Sequence, residues 1–204
     1  LTVKDPEGAS ASCTVSVAAK KLTPGGRDEL GAMKRDIIEH GRTLNLSKPL
    51  EDLRLAFNLL TSFGAQERAR QLISETQQTV NELLVSLADT RLLMESLAQR
   101  AEGVRFQLDA FVEANTISTE RANRIHKTID ALIEFTDSSG DSLDEIETLI
   151  TDALDLLAAA EESLSALSAL AVEPNPIEAM SPAELIQSAR DKLLVAFAQW
   201  RALM

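Results

Sequence analysis

The 204-residue chain has no tyrosine, one tryptophan, six phenylalanines, one cysteine and two histidines. Each shortage excludes something. Small-molecule pockets are lined largely with apolar and aromatic side chains, and an aromatic content of 3% offers few rings to line one, so the composition leans away from an enzyme. A single cysteine, Cys13, excludes an intrachain disulfide, and no histidine or carboxylate stands near it at the spacing of a structural zinc site. Cys13 reads as a filler of a small core position. His40 and His126 lie in neither a His-Glu-x-x-His nor a Glu-x-x-His pattern. With so little histidine, no serine triad has a base. There is no Gly-x-Ser-x-Gly elbow, and "TPGG" lacks the lysine and spacing of a phosphate loop. No catalytic, cofactor-binding or metal-ligating residue is therefore assigned.

Long apolar runs are also missing. The best candidate, "LITDALDLLAAAEESLSALSALAV", is interrupted by Asp152, Asp155, Glu161 and Glu162. Any membrane attachment is expected only through parts of the chain not present here. The sequence shows no starting methionine and no signal peptide, so it reads as a piece of a longer product. A basic stripe is absent too. At a formal net charge of -12, nucleic acid is excluded as a partner, because gripping phosphates requires clustered lysine and arginine. Between Asp137 and Glu173 there are ten acidic residues and no lysine or arginine. That run reads as a solvated helix face, with a surface for a basic partner or loosely held divalent cations as its functional alternative.

What is present begins with a period of two. Ala9, Ala11, Cys13, Val15 and Val17 alternate with Ser10, Ser12, Thr14 and Ser16, which argues for a half-buried antiparallel strand. Asp5, Pro6 and Gly8 supply turn chemistry before it, and "LTV" reads as the partner strand. A lone hairpin is marginal in water, so further strands are expected from upstream chain or another molecule.

After "TPGGRDEL" the period becomes helical. Leu30, Met33 and Ile37 predict a short helix ending near Gly41. Ser47 is the expected cap of the next one, with Pro49 in its first turn and Leu50, Leu53, Phe57 and Leu60 on one face. Ile73, Thr76, Val80, Leu83, Leu87, Thr90, Met94, Leu97, Ala101, Val104, Leu108 and Phe111 then recur at spacings of three and four. That register predicts a helix of about 40 residues. Thr116 or Ser118 is the expected cap of another helix carrying Ile125, Ile129 and Leu132. "DSSGDSLDEIE" is expected to break the pattern, with Ser142 and Glu145 at capping-box spacing. The same stretch fails as a calcium loop, having Ser142, Asp144 and Thr148 where glycine, an apolar residue and glutamate belong. Ile146, Ile150, Ala153, Leu157, Ala160, Leu164 and Leu167 restore the seam. "EPNP" ends it, and "SPAE" starts a last helix with Ser181 as cap and Ile186, Ala189, Leu193, Ala196, Trp200 and Leu203 inward. "NLS" makes Asn45 a candidate N-glycosylation site.

The strand, the turn "DPEGA" and the alternating Ser/Thr/Val strand resemble the last two strands of PKD repeats and the β-modules closing the receptor-for-egg-jelly region of polycystin-1-type proteins. The helical sequence that follows is similar in order to theirs. The helical periods and the short loops between them predict a mainly α chain, an antiparallel helical bundle or, as the alternative, a rod-like oligomer; the resemblance implies that the β-hairpin before it ends an immunoglobulin-like β-sandwich. The periods and breaks divide the chain into the hairpin (1–20), a linker with a short helix (21–46), a long-helix bundle (47–172), a proline-containing linker (173–181) and a final helix (182–204). The implied function is a non-catalytic extracellular module of a cell-surface, ciliary-type receptor, with a polycystin-2-type channel or a surface filament as protein partner. The alternatives are the coiled-coil stalk of a prokaryotic PKD-containing adhesin and an accessory domain of a secreted enzyme.

Overall fold

A computed structural model describes residues 2–4, 10–12, 25–43, 45–60, 65–169 and 180–204. Five helices carry the architecture: α1 (Gly25–Thr43), α2 (Ser47–Leu60), α3 (Gln66–Glu113), α4 (Thr119–Ala169) and α5 (Pro182–Leu203). Before them, β1 (Thr2–Lys4) and β2 (Ser10–Ser12) pair antiparallel, with Thr2 opposite Ser12.

The expected β-sandwich is overturned. Among the described residues the fold is a helical bundle, and the only sheet is this ribbon of two three-residue strands. The physical reason is size: a ribbon of two three-residue strands is marginal in water and gives a second sheet no face to stack on. Asp5, Pro6, Gly8 and Cys13 lie outside the described residues.

The bundle is organised around α3 and α4. A Schellman turn joins them: Thr116 N–H donates to Phe111 O and Asn115 N–H to Val112 O, both at 3.0 Å. Asn115 takes the left-handed position at φ 51°, where asparagine is tolerated better than most residues. Ser118 then accepts from Arg121 N–H and caps α4. The two helices run antiparallel in a register set by Arg105 with Asp130, His126 with Asp109 and Arg91 with Glu147.

The second correction concerns "DSSGDSLDEIE", which does not break anything. α4 is continuous through it. Its buried row runs Leu132, Thr136, Ser139, Leu143, Ile146 and Ile150, keeping spacings of three and four across the supposed gap. Thr136 and Ser139 are core positions filled by small polar residues. Thr136 satisfies its hydroxyl by donating to Ile133 O at 2.8 Å, and Ser142 donates to Ser138 O inside the helix instead of capping a new one. Ser139 Oγ is buried with no hydrogen-bond partner among the described residues.

The remaining helices cover this hairpin along part of its length. α5 packs chiefly on the C-terminal half of α4, with Lys192 Nζ 2.8 Å from Asp152 and Gln199 donating to Glu145. α2 packs on α3 and α5, while α1 packs on α3, where Glu29 pairs with Arg100. At the C-terminal turn of α1, Trp200 Nε1 donates to Gly41 O at 2.8 Å. That carbonyl is one of the last four of its helix and has no intrahelical donor.

Capping differs from expectation at one helix and agrees at another. Asn45 Oδ1, not the Ser47 hydroxyl, accepts at the start of α2, from Ser47 N–H at 2.8 Å. At α5 the full box forms: Ser181 Oγ accepts from Glu184 N–H, and the Glu184 carboxylate accepts from Ser181 N–H at 2.7 Å. The backbone and hydroxyl donors of Ser181 pull the Glu184 carboxyl below its usual range. A depressed folded-state pKa stabilises above the unfolded value and is lost as pH falls through the folded one. The melting-temperature gap between the natural chain and Glu184→Gln is therefore expected to be open at neutral pH and to close on acidification below the ordinary glutamate range. A gap independent of pH would show that the carboxylate charge contributes nothing to the cap.

Candidate functional site

With the seam filled by aliphatic layers, the chemistry this chain offers lies on helix faces. On the inside, Ile73, Val80, Leu87, Met94, Leu97 and Leu108 of α3 are buried, and Leu83 and Val104 are partly buried. Ile146, Ile150, Leu157 and Leu164 are buried on α4, and the Leu167 side chain lies outside the described residues. These residues hold the bundle. The threonines among them, Thr76 and Thr90, turn their hydroxyls back to Leu72 O and Ser86 O, which explains how a polar group sits in the seam without a partner helix.

The acidic run of α4 is partly consumed by the fold. Asp144 and Glu147 share Arg91, Asp152 holds Lys192, and Glu145 accepts from Gln199. Such exposed pairs contribute little each, about 0.2–1 kcal/mol, but they fix register. Asp137 and Asp141, at the start of the run, line a shallow groove together with Arg105, Asp130, Ile133, Glu134 and Ser138. Among the described residues no three histidine, cysteine or carboxylate side chains converge to hold a metal ion, and no helix is long and apolar enough to cross a membrane.

His126 is half-buried and bridges to Asp109 at 3.1 Å across the hairpin, while His40 sits in the last turn of α1. The two imidazoles belong to different elements, and neither lines the groove. Asn45 is exposed at the head of α2, where its side-chain oxygen caps the helix.

Two features escaped the sequence reading. One is the corner between Gly41 and Trp200, separated by 159 positions and therefore invisible to local pattern. The other is the outer face of α3. Val85, Leu92 and Phe106 occupy one row opposite the seam and are 64%, 62% and 78% exposed. Glu82, Asp89 and Glu95 flank that row and are exposed. The signal was available: these apolar residues recur at multiples of seven, outside the seam positions.

Comparison with protein-family models, with curated proteins and with solved structures finds no match for this chain.

Proposed function

We propose that this chain is a non-catalytic helical module that holds a fixed length and presents helix faces to protein partners. The observation that carries the reading is the α3–α4 hairpin, whose helices of 48 and 51 residues share an uninterrupted three-and-four seam. Helices of that length reach about 70–77 Å at 1.5 Å per residue. The short helices α1, α2 and α5 pack along its sides and brace it. The receptor part of the expectation rests on the opening strands, the turn Asp5, Pro6 and Gly8 and the order of hairpin then helices, and of residues 1–20 only 2–4 and 10–12 are described. The helices support the interaction reading without it.

Small-angle scattering tests the length. A rod built on this hairpin should give a radius of gyration above about 21 Å, from its helix length. A compact domain of the same chain length would give about 17 Å. The lower value would sink the spacer reading, because the hairpin would then be folded back on itself in solution.

A further inference from the structure

We propose that the outer face of α3 between Val85 and Phe106 docks a basic amphipathic helix from a partner protein. The proposal rests on the interaction-module reading above and gives it a surface and a partner chemistry.

Single exposed apolar side chains are ordinary on any protein. Here three large ones, Val85, Leu92 and Phe106, stand at i, i+7 and i+21 on one helix, each more than half exposed. They drift only about 20° per heptad around a straight helix, so they form one shallow strip about 30 Å long. None of α1, α2 or α4 covers it, although all three pack on α3. Between Leu92 and Phe106 the strip narrows to Gln99 and Gly103. A Cβ added at Gly103 would meet nothing within 4 Å, so packing among the described residues does not require the glycine. A partner backbone approaching closely would make use of it.

Charge selects the occupant. The three arginines between residues 71 and 113 are all drawn into ion pairs: Arg91 to Asp144 and Glu147, Arg100 to Glu29, Arg105 to Asp130 and Glu102. There is no lysine in that span. Glu82, Asp89 and Glu95 rim the apolar strip and make no ion pair among the described residues. An apolar strip with an acidic rim on a straight helix fits a helix with an apolar stripe and lysine or arginine beside it. A second copy of the chain would set acid against acid along this face. An anionic lipid surface would be repelled by the same rim.

The test uses the whole chain and two synthetic 22-residue helical peptides. Both carry leucines at heptad a and d positions; one has lysine and arginine at e and g, the other glutamate. Fluorescence anisotropy should show the basic peptide binding at least tenfold more tightly than the acidic one, with affinity falling as salt rises. Leu92→Ser combined with Phe106→Ser should weaken it at least tenfold, and Glu82→Gln with Asp89→Asn and Glu95→Gln several-fold. Val195→Ser, at an exposed apolar position on α5, should leave it unchanged. All these substitutions are at exposed positions, and circular dichroism checks that each variant is helical. The proposal is overturned if the basic peptide does not bind, or if it binds equally to the α3 variants, which would mean general attraction to a chain of charge -12. Sedimentation showing a dimer that Leu92→Ser dissolves would assign the face to a second copy and overturn it as well. Flotation with phosphatidylserine vesicles that depends on Leu92 and Phe106 would do the same in favour of lipid. A chain that scatters as a rod yet ignores the peptide loses this proposal alone.

Discussion

Trp200→Ala is expected to cost about 3–5 kcal/mol of stability, as for other buried aromatic truncations, and to lower the melting temperature by about 10 °C for a chain of this size. The indole is 4% exposed and closes the corner where α5 meets the end of α1. Its loss removes a large apolar surface and leaves Gly41 O without its donor. Two milder substitutions separate these contributions. Trp200→Phe keeps most of the packing and should cost only about 1 kcal/mol for the missing hydrogen bond. Gly41→Ala keeps the donor but places a methyl group 3.0 Å from the Trp200 ring and against the Met204 thioether. The methionine can swing aside, whereas the indole is held by its hydrogen bond. Overpacking of this kind costs about 1–3 kcal/mol, against a gain in helix propensity of about 1 kcal/mol. Alanine at a free helix position would stabilise; here it is expected to destabilise. Thermal unfolding by circular dichroism measures all three. A Trp200→Ala loss below about 1 kcal/mol, well under the usual cost of a buried aromatic truncation, would mean that this corner is open in solution.

How far the fold was legible follows from where its information sits in the chain. The seam of α3 is local and strictly periodic, so residues 73–111 announced a long helix directly. The same period runs through α4, but between Leu132 and Leu143 it is carried by Thr136 and Ser139. An aspartate, two serines and a glycine in sequence carry turn chemistry, and that local signal outweighed two polar residues in correct register. Tertiary packing decided the other way, because Leu143 and Ile146 bury their side chains only if the helix continues in phase. The opening alternation misled in the opposite direction. The period of two spans residues 9–17, but the described strand is only Ser10–Ser12, and a ribbon that short does not make a sandwich. The outer row of α3 could be found from spacing, whereas its exposure depends on which faces α1 and α2 cover, and no local pattern states that.

Leu97→Ala carries the second large effect and tests the corrected register at its weakest layer. Leu97 is fully buried, and the cross-helix pairs place it level with Ser139, in the stretch expected to be a loop. If α4 is continuous there, the leucine side chain fills the space that a small serine leaves, and its removal opens a cavity between two small residues. The expected loss is about 2–5 kcal/mol, toward the upper end because neither neighbour can expand to fill the gap. Ser139→Ala should act oppositely. The serine hydroxyl is buried without a partner, and a buried unsatisfied group costs about 1–3 kcal/mol, so removing it should raise stability by about 1 kcal/mol. If 137–145 were a solvated loop, serine and alanine would be equivalent at 139 and Leu97 would lie half open to water. Opposite signs at the two positions can arise only from a closed layer, and denaturant unfolding of the two variants reads both. A neutral Ser139→Ala together with a Leu97→Ala cost near 1 kcal/mol, below the usual range for a buried leucine, would restore the break in α4. It would also remove the long hairpin on which the spacer reading stands.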